Sequence, residues 1–326
     1  MKKILLASSL TLSSFIIATP VVAVEIDITP SGFVDFVWTL SDGTNAGKHG
    51  EEGQFVTSGE LDVEAKLKEG ITMRFDADIN PSTGDGDSAR LEQIFLKWDI
   101  DPKMSLMGGV FNNKLTFERE DSPDMYQITH GQLWDIWASS TAESGNTGNN
   151  LQGLEFNYQF DKVNLILGYL NDLNNTPDEN SVEVAAEIEP AKDLDITLGL
   201  ITQDQNLETI FDIFASYKMK KWLFAGEIII ADKLVDNGLM LMTNYQFNNK
   251  LSATARYDLV NYENTFLNDD TSSLTIAGLY SISKHLFANA EIRFNDDNNQ
   301  AAANPGIPDI GEGDGTSARL ELLAVF

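Results

Sequence analysis

The last nine residues of the chain, Ala318-Arg-Leu-Glu-Leu-Leu-Ala-Val-Phe326, decide how the rest of the sequence is interpreted. Every second residue back from Phe326 is apolar, and Arg319 and Glu321 stand between these apolar positions. Successive side chains on a strand point to opposite faces, so the alternation predicts a strand with one apolar face. Because an unpaired edge strand invites aggregation, we expect this last strand to pair with the first strand and to close the sheet into a barrel.

The same alternation recurs along the chain after its N-terminal segment. In residues 71–79, for example, Met73 and Phe75 alternate with charged Arg74 and Asp76. Sixteen such stretches are found when the closing strand is included, and an even number of strands is typical of bacterial outer-membrane barrels. The sequence therefore predicts an all-β fold over residues 24–326, a transmembrane antiparallel up-and-down β-barrel of about 16 strands.

The connections between these stretches alternate in length. Residues 68–70, 101–103 and 161–162 are among the short connections, whereas residues 112–153 and 295–317 are among the long ones. Outer-membrane barrels show this alternation because they have short periplasmic turns at one rim and long extracellular loops at the other. Both ends of the mature chain are then expected at the periplasmic rim.

The N-terminal segment is expected to direct export and not to join the fold. Two lysines precede an apolar run from residue 4 to about residue 18, and Val21-Val22-Ala23 offers small residues for cleavage. Residues 1–23 are therefore predicted to be a secretory signal peptide. The absence of cysteine excludes a disulfide framework, and a formal net charge of -28 disfavours nucleic acid as a partner.

An enzymatic function is not expected. The three histidines, His49, His130 and His285, fall in predicted connections, and none has a serine or an acid at a spacing typical of a catalytic triad. Asp85-Gly86-Asp87 starts like a calcium-binding loop, but the later glycine and the last carboxylate of such a loop are missing. We therefore expect neither a cofactor nor a metal.

The terminal stretch and the overall pattern carry a resemblance to known proteins. Residues 320–326 resemble the final strand, ending in Phe, by which the barrel-assembly machinery recognises Gram-negative outer-membrane proteins, so Phe326 is an expected assembly signal. The mature chain as a whole resembles the general porins. More narrowly, the chain resembles the family named "putative beta-barrel porin" in residues 118–124 and in the stretches Ser31-Gly32-Phe33-Val34-Asp35, Glu92-Gln93-Ile94-Phe95 and Gly109-Val110-Phe111. The resemblance implies a bacterial outer-membrane location and contact with lipid and lipopolysaccharide, and it leaves open whether barrels form a homotrimer.

The long third loop, residues 112–153, is the one irregular stretch. Its second half is rich in Ser, Gly and Asn, but its first half holds many large apolar residues that require burial. In porins the third loop folds into the barrel and narrows the pore, so the resemblance implies the same here. The predicted constriction consists of Glu118, Arg119, Glu120, Asp121 and Asp124. The alternative is an extracellular lid packed on other loops.

Two opposite sectors of the predicted lumen wall differ in chemistry. Basic side chains are expected to point inward on one set of contiguous strands, at Lys66, Arg74, Lys97, Arg256, Arg293 and Arg319. The opposite strands are expected to point aliphatic side chains inward, at Ile166, Leu170, Leu223 and Ile229. The loop would be anchored on this apolar wall by Leu133, Trp134, Ile136 and Trp137, and its acids would face the basic wall across the pore. A register slip or a bulge would undo this pattern.

These features predict a porin that forms a water-filled, cation-preferring channel for passive diffusion of small hydrophilic solutes. A first alternative is a plugged barrel whose acidic surface loops act in adhesion or bind divalent cations at the lipopolysaccharide surface. A second is a soluble all-β binding domain.

Overall fold

The computed structural model describes residues 26–41, 52–79, 89–141, 149–173, 179–203, 209–231, 235–261, 270–297 and 315–326. The predicted signal peptide, His49 and the Asp85-Gly86-Asp87 stretch lie outside the described residues. Sixteen strands and two short helical segments make up most of the described chain. In chain order, the strands are β1 (Ile26–Ser41), β2 (Glu52–Leu67), β3 (Ile71–Ile79), β4 (Ala89–Asp101), β5 (Met104–Asn112), β6 (Asn150–Phe160), β7 (Val163–Asn171), β8 (Asn180–Ala191), β9 (Leu194–Gln203), β10 (Thr209–Met219), β11 (Trp222–Ala231), β12 (Val235–Asn248), β13 (Leu251–Asn261), β14 (Thr271–Ser283), β15 (Leu286–Asp297) and β16 (Gly315–Val325). A 3-10 turn at Ser122–Asp124 and the helix α1 (Gln132–Thr141) lie between β5 and β6.

The sixteen strands form one closed antiparallel barrel, as the sequence predicts. Each strand pairs with its neighbours in chain order, and β16 pairs with β1 to complete the ring. The register at this closure joins Phe33 to Val325 and Trp38 to Leu320. Beyond the last ladder pair, the Phe326 amide donates to the Gly32 carbonyl at 3.0 Å, and the Gly32 amide donates to the Phe326 carbonyl at 3.3 Å.

Gly32 permits the close approach of the terminal aromatic ring. A Cβ atom at this position would lie 2.8 Å from Cζ of Phe326 and 2.3 Å from the carbonyl oxygen of Glu60. A larger residue at 32 would therefore push the terminal ring, the backbone of β2, or both, away from β1. The ring of Phe326 thus packs directly against Gly32.

The two faces of the barrel wall separate apolar from polar side chains. On β1, Phe36 is 42% exposed on the outside, whereas Asp35 is 6% exposed on the inside. The same alternation places large apolar residues on the outer face of other strands, where a lipid environment would cover them. Exposed aromatic residues near the short-turn rim include Trp98, Tyr217, Trp222, Tyr280 and Phe326. No described helix has the length and apolar character needed to cross a membrane.

Two details differ from the sequence-based expectation. The first two strands extend further than the alternation at 32–40 and 61–67 indicates, because β1 and β2 continue to pair from Ile26 with Leu67 to Ser41 with Glu52. In addition, β4 contains a bulge, since Ala77 pairs with Leu91 while the adjacent Asp76 pairs with Gln93. A bulge re-aims side chains. Here it lets the consecutive residues Glu92 and Gln93 both be buried.

The orientation of the wall predicts unequal costs for a new charge on its two faces. Phe75, in the middle of β3, is 44% exposed on the outer face, whereas Ser216 on β10 shares the inner face with buried Asp212. Lysine facing lipid near the midplane costs about 2–4 kcal/mol, but the lumen tolerates it. We expect Phe75→Lys to lower the free energy of unfolding by this amount in urea titrations from lipid vesicles. Ser216→Lys should change it little, and equal destabilisation by the two variants would contradict the assignment of faces.

Candidate functional site

The segment between β5 and β6 contacts strands on many sides of the barrel. The Phe117 amide donates to Glu227 Oε2 on β11 at 3.3 Å, Ser122 Oγ donates to Asp35 Oδ2 on β1 at 3.2 Å, and the Ile128 amide donates to Glu291 on β15 at 2.7 Å. In a closed barrel, side chains on such distant strands can be reached together only from within. Residues 113–137 thus run through the lumen and not over its rim.

One end of this segment packs on the apolar sector of the wall. Leu133, Ile136 and Trp137 on α1 are at most 2% exposed and belong to one buried apolar cluster with inward residues of β7, β11 and other strands. That cluster includes all four of the aliphatic residues expected to form the apolar wall, Ile166, Leu170, Leu223 and Ile229. The indole nitrogen of Trp137 donates to Asp212 Oδ2 at 3.0 Å, so the ring is held by a hydrogen bond as well as by burial.

Trp134 has different surroundings from the other residues of α1. It is only half-buried and stacks on His130, with ring centroids 3.8 Å apart. His130 Nε2 lies 3.1 Å from the carbonyl oxygens of both Arg119 and Glu120, which suits a protonated nitrogen that donates to them. Burial lowers the pKa of His130 to about 4, so the ring is neutral at pH 7. His130 therefore connects the backbone of residues 119–120 to Trp134 on α1.

Arg256 on β13 is the polar anchor of the segment. Its side chain is fully buried, forms an ion pair with Glu118 of the loop, and binds Asp258 Oδ2 at 2.9 Å. It also donates to the carbonyl oxygens of Thr129 and His130, each at 2.9 Å. Gln127 and the Gly131 amide donate to the same Glu118 carboxylate. Glu118 and Arg256 are therefore in direct contact, whereas the sequence-based expectation had them face each other across open pore.

The neighbouring strands add further anchors. Glu291 Oε2 accepts hydrogen bonds from the amides of Ile128 and Thr129. Its Oε1 accepts the Thr129 hydroxyl and lies 3.5 Å from Arg319 Nη1. Arg293 donates to the His130 carbonyl at 2.9 Å. The sector expected to present basic side chains to the pore is thus occupied by the loop over β13 to β16.

The remaining basic residues of the predicted wall also have acidic neighbours. Lys66 pairs with Glu64 at 2.7 Å and Lys97 with Asp99 at 3.0 Å, both two positions away on the same face of a strand. Arg74 binds Asp76 at 2.7 Å in the same way, and also Asp62 at 3.2 Å on the next strand. The spacing of two residues between each base and its acid was visible in the sequence. The acids at these positions reduce the net positive charge of this wall.

Glu120 and Asp121 lie beside acidic residues, and of the predicted basic wall Arg74 lies within electrostatic range of Asp121. Burial, and after it the nearby Glu92 carboxylate, raises the pKa of Glu120 to about 10. Burial also raises the pKa of Asp121. Glu60 and Glu92 supply carboxylates from β2 and β4 close to Asp121. Sequence reasoning missed this group because Glu92 is brought inward by the bulge.

A cavity of about 660 Å³ lies between the loop and the wall formed by β6 to β10. It extends to the short-turn rim, where Asp161 and Lys162 line it, and the exposed Arg119 and Asp124 line it on the loop side. Its acidic lining residues are Glu118, Asp124, Asp161, Glu187, Glu189 and Asp195, and its basic ones are Arg119 and Lys162. Acidic side chains therefore outnumber basic ones around this space.

Comparison with known proteins identifies the fold. No protein-family model and no curated protein sequence matches the chain, so the narrower family resemblance is not confirmed. Among solved structures, Salmonella typhi OmpF in complex with daunomycin has a TM-score of 0.70 at 13% identity, covering 92% of this chain and 97% of that chain. The anion-selective porin from Comamonas acidovorans has a TM-score of 0.67 at 15% identity, with 93% and 100% covered. The trimer form of OmpT from Vibrio cholerae has a TM-score of 0.62 at 10% identity, with 92% and 99% covered. At these identities the similarity concerns the barrel fold.

The buried contacts of Arg256 predict a large effect on stability. Arg256→Met would leave Glu118 and Asp258 buried without their cation, which costs about 3–5 kcal/mol when one partner of a buried pair is removed. The control is Lys97→Met, because the Lys97–Asp99 pair is exposed and such pairs contribute about 0–1 kcal/mol. We expect urea unfolding of the detergent-solubilised protein to separate the two variants clearly. Similar unfolding free energies would show that Arg256 does not anchor the loop.

Proposed function

We propose that this chain is a porin of the bacterial outer membrane that forms a water-filled channel for passive diffusion of small hydrophilic solutes. The observation that carries the proposal is the polar cavity of about 660 Å³ between the inner loop and the wall of β6 to β10. Barrels of sixteen strands are wide enough to leave an aqueous channel. A loop held on the other side of the lumen would narrow that channel without closing it.

The proposed constriction divides the loop residues by role. Arg119 and Asp124 are exposed toward the cavity and would contact passing solutes. Glu118 is buried against Arg256 and would hold the loop in place. Glu120 and Asp121 would do the same on the side of β2 and β4.

The proposed channel prefers cations. Six acidic and two basic side chains line the cavity, and the acids remain in excess when Glu118, which is paired with Arg256, is left out. Fixed negative charge in a narrow aqueous path raises the local concentration of cations. The Comamonas acidovorans porin is described as anion-selective although it has a similar fold. Selectivity therefore has to be argued from the lining charges of this chain.

Partners follow from the proposed location. The outer face would contact outer-membrane lipid and lipopolysaccharide, and the terminal strand with Phe326 would be the signal for the barrel-assembly machinery. The trimer form of Vibrio cholerae OmpT, which has a similar barrel, supports a homotrimer as the assembly to test first.

Removing a cavity charge should weaken the cation preference. In planar bilayers with a salt gradient, the parent protein is expected to show a reversal potential of the sign that cation passage produces. Asp124→Asn should move that potential toward zero, because it neutralises an exposed acid that lines the cavity. Glu69→Gln, which removes one charge from an exposed turn at the rim, should move it less. Anion preference of the parent protein would refute the proposal on selectivity.

Loosening the loop should widen the channel. Trp137 is fully buried, and replacing such a residue by alanine costs about 3–5 kcal/mol of packing. We expect Trp134→Ala with Trp137→Ala to raise single-channel conductance. The control is Trp222→Ala on the outer face, where the ring is 40% exposed, and its conductance should equal that of the parent.

Two results would contradict the proposals on the loop and on the channel. If the double variant conducts like the parent, the loop is not the constriction. If the parent itself forms no channels in bilayers, the porin proposal fails and a plugged barrel is the better description.

A further inference from the structure

Three carboxylates from separate parts of the chain meet inside the barrel. Glu60 lies on β2, Glu92 on β4 and Asp121 on the inner loop, and one oxygen of each lies within 4.8 Å of the other two. Like charges at this separation repel strongly where water is scarce. The group is therefore stable only if a proton or a cation neutralises it.

Two oxygens of this group have no hydrogen-bond partner in the part of the chain that the structure describes. Glu60 is 4% exposed and Glu92 is 2% exposed, yet Oε2 of each carboxylate accepts no hydrogen bond from the described residues. The hydrogen bond that Glu92 accepts from Asn150 Nδ2, at 3.3 Å, is on the other oxygen, Oε1. Burying a polar oxygen without a partner is costly, and native proteins rarely leave one unpaired. Free oxygens on two of the three carboxylates indicate that a further ligand belongs among them.

Arg74 lies within electrostatic range of Asp121, but its described hydrogen bonds go to other acids. The guanidinium of Arg74 donates from Nε to both oxygens of Asp76, at 2.8 and 2.7 Å, and from Nη2 to Asp62 at 3.2 Å. Asp62 and Asp76, which form a second group of three acids with Glu60, are therefore both paired with Arg74. The group of Glu60, Glu92 and Asp121 is the better candidate for an external cation.

The local backbone directs the three side chains to one point. The bulge in β4 turns Glu92 inward beside Gln93, so two consecutive residues face the lumen. Asp121 has an extended backbone and directly precedes the 3-10 turn, with its carbonyl accepting the Asp124 amide at 3.0 Å. The neighbouring Ser122 is bound to Asp35 on β1. The loop is thus fixed at the place where its carboxylate approaches the wall.

We propose that Glu60, Glu92 and Asp121 form a binding site for a hard divalent cation, with Ca²⁺ as the best fit. Carboxylate oxygens are the ligands that such ions prefer, and Ca²⁺ accepts irregular arrangements that Mg²⁺ tolerates poorly. Zn²⁺ and Cu²⁺ favour sites with nitrogen or sulfur ligands, and this group offers only oxygen. A bound ion bridges β2, β4 and the inner loop, so it fastens the loop to the wall on the side opposite the apolar anchor.

The test of this site does not depend on the barrel conducting ions, because Ca²⁺ binding is measured on detergent-solubilised protein. The protein is treated with a chelator, exchanged into buffer, and titrated with CaCl₂ by calorimetry. Thermal unfolding is followed in parallel with CaCl₂ or EDTA. Glu92→Gln and Asp121→Asn test the strand and loop ligands separately. Glu183→Gln is the matched control, since Glu183 is also a buried lumenal acid with unpartnered oxygens but is not in the group.

We expect the parent and Glu183→Gln to bind Ca²⁺ and to unfold at a higher temperature in CaCl₂ than in EDTA. Glu92→Gln and Asp121→Asn should each weaken binding by about tenfold or more, which is at least the effect of losing an outer-shell partner of a metal. In EDTA, the same two variants should unfold at a higher temperature than the parent, because each removes a repelling charge. A purely structural role for these acids would not reverse the order of the variants between EDTA and CaCl₂. Equal Ca²⁺ binding by the parent and Glu92→Gln would overturn the proposal.

Discussion

The pairing of β16 with β1 is the constraint on which the rest of the structure depends. The interior of a bilayer offers no hydrogen-bond partners, so an open strand edge there would leave several unsatisfied peptide groups. The ladder from Phe33–Val325 to Ser41–Ser317 removes both edges at once, and Phe326 extends the pairing to Gly32. Closure also defines an inside. The alternation that would give an ordinary sheet one wet face and one dry face here gives a polar lumen and an apolar outer wall.

The lumen wall has an apolar sector and a polar sector, and contacts with both hold the inner loop in one position. Trp137 and its apolar neighbours are buried on one sector, while Arg256 and Glu291 supply polar contacts on another. Ordering a segment of this length costs conformational entropy, which burial of large side chains and buried hydrogen bonds offset. The space that remains lies against β6 to β10. The position of the cavity in the lumen is thus a consequence of where the loop is held.

The acidic residues inside the barrel lie in two kinds of surroundings. Asp124 and Glu187 line the cavity between the loop and the wall, where the proposed channel would expose them to passing ions. Where the loop covers the wall, acids are buried and need a countercharge, which Arg256 provides for Glu118 and Asp258. Glu60 and Glu92 have no such basic partner among the described contacts, and this difference is the reason for assigning a cation to them. The proposed cation preference and the attachment of the loop therefore both depend on the acidic composition of the chain.

The sequence by itself determined the fold class, the strand number and the inward or outward direction of most wall residues, because side-chain direction on a strand follows from a period of two. It also indicated that the loop must be buried, because Leu133 and Trp137 lie in a stretch too apolar for solvent. Only the tertiary structure decided which residues meet. Glu118 and Arg256 are 138 positions apart, and their contact depends on the path of the loop and on the ring being closed. The group around Glu92 depends on a bulge that shifts the alternation by one residue. A strand pattern specifies the face of each side chain, but the register between strands and the position of a loop are properties of the assembled barrel.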